Sequence, residues 1–112
     1  DRLLIEQVAL NLVRNAVEAV QALPEPRRRI TVATQVEADG SGTFAVADLG
    51  EGVPEEAKER LFDPFVTTKP GGLGLGLSIC RSVVEAHGGV IRHEGSGTRG
   101  AVFAFTLPGA GA

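Results

Sequence analysis

The chain has 112 residues, 43% of them hydrophobic, which suffices for one core and is too little for two domains. A net charge of −3 with no basic run longer than Arg27-Arg28-Arg29 argues against nucleic acid as a partner. A single cysteine, Cys80, excludes an intrachain disulfide framework, and no apolar run approaches the ~18 residues of a membrane span, so the expectation is a monomeric cytoplasmic domain that makes no membrane contact itself.

The first residues, DRLLIEQ, lack the layout of a signal peptide and open inside a helical pattern without an initiator Met. The chain therefore reads as a piece of something longer, compatible with a membrane-anchored full-length protein. Residues 2–23 have helical composition and are stopped by Pro24 and Pro26. At about 100° per residue, Gln7, Asn11, Asn15 and Glu18 fall within an arc of about 80°, while Ile5, Val8, Leu12, Ala16, Ala19 and Leu23 line the other side. Val13, Val17 and Val20 widen the apolar zone until most of the helix is expected to be buried. Buried amides require partners, which means either neighbouring backbone or a polar ligand.

Residues 29–36 and 43–47 are rich in β-branched side chains and flank a glycine turn at 38–42, which predicts a hairpin. Asp48 ends the second strand and is followed by Leu49, Gly50, Glu51 and Gly52. Taken alone this is an ordinary Asp-Gly turn. An ionised carboxylate beside residues without side chains also suits the exocyclic amine of a flat base such as adenine.

A short helix is predicted over 54–61, with Pro54 in its first turn and Glu55 and Glu56 at the positive end of the helix dipole. An irregular stretch through Phe65 leads to Lys69-Pro70-Gly71-Gly72-Leu73-Gly74-Leu75-Gly76-Leu77 and a helix over 75–87 capped by Gly88-Gly89. Backbone N–H groups, a helix dipole and a lysine converging in this way favour phosphate, although neither the Rossmann nor the P-loop spacing is present. Strands over 90–93 and 101–107 complete the pattern. The fold class is α/β (α+β), a two-layer sandwich with a mixed, largely antiparallel sheet and helices on one face, spanning residues 1–108 ahead of a flexible tail at 109–112.

The asparagine stripe, the Asp-Gly-Gly strand end and the glycine loop occur in that order within one small domain, and together they point to a nucleotide site. They resemble the boxes of the Bergerat-fold ATP-binding superfamily. QVALNLVRNA at 7–16 resembles the N box, Asp48-Leu49-Gly50-Glu51-Gly52 the first glycine box, Phe62-Asp63-Pro64-Phe65 the F box, and 72–77 the second glycine box. The F box and Thr67-Thr68-Lys69 resemble sensor histidine kinases, in particular the nitrogen-regulation and oxygen-sensing type.

The resemblance implies a domain that binds ATP and Mg²⁺ and phosphorylates a histidine on a separate dimerisation domain, which then serves a response regulator receiver domain. It implies Asn15 as the Mg²⁺ ligand, Asn11 in the metal and phosphate shell, Asp48 on adenine, and Arg60 and Lys69 as phosphate contacts. Gly50, Gly52, Gly72, Gly74, Gly76 and Leu77 would line the nucleotide.

Hydrolytic members of the superfamily carry a glutamate four residues before the metal asparagine, where this chain has Asn11, and an amide is no general base. Phosphoryl transfer with little hydrolysis is the expectation. The chain departs from its relatives at Ala101, where a threonine is usual near adenine, and at Glu18, where some carry a basic residue. Neither His87, read as a helix cap, nor His93, read as a strand residue, suits the phosphoacceptor role. A serine kinase of the anti-sigma-factor type and a non-catalytic nucleotide-binding module are the competing readings.

Overall fold

The structure is a computed structural model that describes residues 2–21, 23–50, 62, 76–94 and 100–109. Helix α1 (Arg2–Val20) is followed by a single 3₁₀ turn at Glu25–Arg27. Strands β1 (Ile30–Val36) and β2 (Gly42–Asp48), helix α2 (Gly76–Ala86), and strands β3 (Val90–Glu94) and β4 (Ala101–Leu107) follow. The four strands form one sheet in the order β1-β2-β4-β3, and every pairing among them is antiparallel. The expected short helix at 54–61 lies outside the described residues.

Each element follows from local chemistry. Helix α1 ends at Val20, three residues short of the expected Leu23. The last turn tightens, with Gln21 N–H donating to the Glu18 carbonyl at 3.4 Å and Leu23 N–H to that of Val20 at 3.0 Å. Pro24, extended at φ −57°, ψ 147°, then opens the 3₁₀ turn. In the β1–β2 turn, Gly40 takes φ +90°, and Asp39 Oδ1 accepts both the Ser41 N–H at 2.9 Å and its Oγ–H at 2.6 Å. Those bonds hold the Asp39 carboxyl below its ordinary value, the Ser41 hydroxyl contributing most.

Helix α2 closes as expected from Gly88-Gly89. Gly88 adopts φ +79° and donates to the Glu85 carbonyl at 3.0 Å, while Gly89 N–H reaches the Val84 carbonyl at 2.9 Å. His87 Nδ1 lies 2.7 Å from the Val83 carbonyl. Because a carbonyl only accepts, that nitrogen carries the proton, and His87 is a capping residue as read.

Antiparallel pairing puts opposed residues on one face, so Phe44 with Phe105 and Ile91, and Val46 with Phe103 and His93, share the helix side of the sheet. There Val46, Ile91 and Phe105 meet Val8, Leu12 and Ala16 of α1 and Cys80 and Val84 of α2 in a buried cluster, with Phe44 and Phe103 packed against it. The Phe44 and Phe105 rings stack at 5.4 Å. On the opposite face, Thr43 Oγ1 and Thr106 Oγ1 lie 3.0 Å apart, and Arg92 Nη1 donates to Thr106 Oγ1 at 3.0 Å.

Two expectations for α1 require correction. The buried row is Val8, Leu12, Ala16 and Val20, whereas Ala19 is exposed. An i, i+4 row slants around the helix, and this row tracks the contact with the sheet. Nor is most of the helix buried, since Leu3 is 71%, Leu10 53% and Val17 43% exposed. In a two-layer packing the sheet and α2 cover one side of α1 and leave the far side open.

Candidate functional site

Strand β2 delivers Asp48 at its last position, opposite Ala101 of β4. The side chain is buried, with Oδ1 accepting the Gly50 N–H at 2.8 Å. Burial pushes the carboxyl above its ordinary value of 3.8, while the Gly50 and Ala101 N–H groups and the nearby His93 pull the other way. The turn after Asp48 is closely packed. A Cβ at Gly50 would sit 2.9 Å from both the Ala19 carbonyl oxygen and Asp48 Oδ1. Gly100, at φ +106°, lets β4 begin directly against the Asp48 backbone.

Helix α1 holds Asn11 and Asn15 half-buried, one turn apart, while Gln7 and Glu18 are exposed. Asn11 Nδ2 donates to the buried Cys80 Sγ of α2 at 3.7 Å. One turn beyond Asn15, Ala19 abuts Gly50. The row 11, 15, 19 therefore runs from α2 to the Asp48 turn, with Asn15 between the two. Two of the four expected stripe residues, the asparagines, are thus brought between the carboxylate and α2.

Gly76 begins α2 and is exposed, with open space around it. Leu77 packs its side chain against the core, which leaves its first-turn backbone N–H as the group able to meet an anion. Arg60, Gly52, Lys69, Gly72 and Gly74 lie outside the described residues, as do Asp63, Pro64 and Phe65 of the F box. Phe62 is described. Its ring meets Phe103 edge-on at 6.3 Å, and the His93 ring lies 5.0 Å from that of Phe103.

His93 is the neighbour that residue-by-residue reading passed over. With Ile91 facing the core, strand alternation turns His93 to the same side, where it counts among the minor influences that pull the Asp48 carboxyl down against burial. Composition likewise uses Cys80 only as a sign of redox compartment, whereas the helical spacing from Gly76 sets it one turn inside α2.

Among the described residues, an antiparallel four-stranded sheet packed against two helices, with a buried strand-end carboxylate and an amide row on the first helix, defines an α/β sandwich. The chain belongs to the family described as histidine kinase-, DNA gyrase B-, and HSP90-like ATPase, whose profile matches residues 1–111. It is 46% identical over 105 residues to the sensor protein TdiS of Thauera aromatica, covering 93% of this chain and 19% of that protein. It is 44% identical over 110 residues to the sensor protein FixL of Bradyrhizobium diazoefficiens, covering 98% of this chain and 21% of that one. The chain thus spans about a fifth of the length of these relatives.

Among solved structures, the nucleotide-free catalytic domain of histidine kinase ThkA matches with a TM-score of 0.79 at 43% identity, over 96% of this chain and 68% of that one. Full-length ShkA in complex with AMPPNP matches at 0.77 and 33% identity, over 94% of this chain and 21% of that one. The expected fold is borne out, with its sheet wholly antiparallel over the described strands.

Proposed function

We propose that this chain is the catalytic, ATP-binding domain of a sensor histidine kinase, binding Mg-ATP along α1 and delivering the γ-phosphoryl group to a histidine on a separate dimerisation domain. A response regulator receiver domain is then the acceptor. The observation that carries the reading is the row of Asn11 and Asn15 running between α2 and the Asp48 turn. The sensor-kinase names of the relatives support it over the serine-kinase and non-catalytic readings.

Ionised Asp48 accepts hydrogen bonds only, which fits the adenine amine, and its ties to Gly50 and Ala101 fix its orientation before the base arrives. Ala101 offers no hydroxyl beside the base, a place that water can take. Asn15 supplies an amide oxygen, and Mg²⁺ requires only one or two protein oxygens when phosphates and water complete its shell. When bound, the ion neutralises charge on the phosphates. Asn11 supports that shell, the first turn of α2 with Gly76 and Leu77 offers N–H groups to phosphate, and Arg60, Lys69, Gly52, Gly72 and Gly74 complete the assignment.

The domain needs no general base of its own for transfer to a histidine, consistent with an asparagine at position 11. Among the described residues no helix is long and apolar enough to cross a membrane, and we place the domain in the cytoplasm, on a protein whose remaining parts include any anchor.

Titrating a fluorescent ATP analogue with and without Mg²⁺ tests the site. Asn15→Ala is expected to remove the Mg²⁺ enhancement, and Asp48→Ala to remove the preference for ATP over an inosine nucleotide, which lacks the amine. Unchanged behaviour in both variants overturns the assignment. Mixing the chain with a histidine-bearing dimerisation domain and finding acid-labile phosphate tests the kinase reading, and its absence despite tight ATP binding favours a non-catalytic module.

A further inference from the structure

Cys80 lies where α2 presses on α1. It is fully buried within the core cluster, and its sulfur accepts the Asn11 side-chain N–H at 3.7 Å across the helix interface. A carboxamide has a donor end and an acceptor end, and rotation by half a turn exchanges them at little steric cost. A metal and phosphate shell needs the two ends told apart, because a cation attracts Oδ1 and repels the amide hydrogens. With Nδ2 engaged by Cys80, Oδ1 is the end of the amide left to meet a ligand.

We propose that Cys80 is a positioning residue for Mg-nucleotide binding, its sulfur fixing which end of the Asn11 amide faces the ligand. The inference rests on the assignment of Asn11 to the metal and phosphate shell. The residue acts through Asn11 and touches no ligand itself. Alanine at this position removes the acceptor that the amide N–H meets on the core side. Serine keeps an oxygen that can accept the same N–H.

The test measures the affinity of the 112-residue chain for an ATP analogue with and without Mg²⁺, and takes the ratio. Loss of one such hydrogen bond predicts that Cys80→Ala lowers the ratio by about three- to tenfold, and that Cys80→Ser restores most of it. Thermal unfolding is measured alongside. A purely structural cysteine lowers the melting temperature of Cys80→Ala and leaves the ratio alone, and that result overturns the proposal. Equal loss of the ratio in the serine and alanine variants also overturns it. Asn11→Ala separates the two levels of inference. If that change leaves the ratio intact, the assignment of Asn11 to the shell fails. If it lowers the ratio while Cys80→Ala does not, only the positioning role fails.

Discussion

Replacing Gly100 by alanine tests how tightly the end of the sheet is built around Asp48. Gly100 is buried at φ +106°, a conformation L residues rarely adopt, and an added Cβ would overlap the Asp48 carbonyl oxygen. The backbone strain amounts to about 1–3 kcal/mol. The overlap is with backbone, which no rotamer change can relieve, so the first pair of β4 with β2, Ala101 with Asp48, must separate, adding about 1–3 kcal/mol. A total of about 4 kcal/mol lowers the melting temperature of a domain of this size by roughly 16 °C. Thermal unfolding followed by circular dichroism reads it directly. Gly76→Ala is the matched control, because its Cβ meets open space at the start of α2, and it should be neutral or stabilising by up to about 1 kcal/mol. A drop of under about 4 °C for Gly100→Ala refutes the reasoning.

Three further outcomes follow from the same geometry. Burial raises the Asp48 carboxyl above 3.8, so the folded chain keeps this proton to higher pH than the unfolded chain, and the stability this group contributes declines as pH rises from 3.8 through the raised value. Asp48→Asn removes that decline. Urea denaturation should show the asparagine variant gaining on the parent as pH rises above 3.8, and a pH-independent difference contradicts the assignment. Gly88→Ala places a side chain at φ +79° in the α2 cap and should destabilise by about 1–2 kcal/mol in the same assay, an unchanged midpoint counting against the cap. With Asn11 in place of a glutamate base, phosphate release from ATP by the chain alone should stay near background, and rapid turnover contradicts that reading.

Periodicity made much of this fold legible. The hairpin glycine, the Gly88-Gly89 cap and the positions of the strands along the chain follow from local rules, whereas the pairing of β2 with β4 joins segments far apart in sequence. The end of α1 was misread because Pro24 marks where a helix must have stopped, whereas the tightened turn after Val20 ends it earlier. The excess burial assigned to α1 has another cause, since valine and leucine content says nothing about how many layers cover a helix. At the site, Asn11, Asn15 and Asp48 were visible as residue types, and their relation to one another was not. That relation depends on Ala19 meeting Gly50 and on Asn11 meeting Cys80, contacts between segments 31 and 69 residues apart in sequence. Inward-facing His93 was accessible from the alternation of β3, had that strand been read by face as well as by composition.

A crystal structure of this chain with Mg²⁺ and a non-hydrolysable ATP analogue tests the central claim most directly. The base amine is expected on the Asp48 carboxylate, the cation on the Asn15 amide oxygen, and the phosphates running toward the first turn of α2. A nucleotide bound elsewhere, or one whose metal ignores both asparagines of α1, contradicts it.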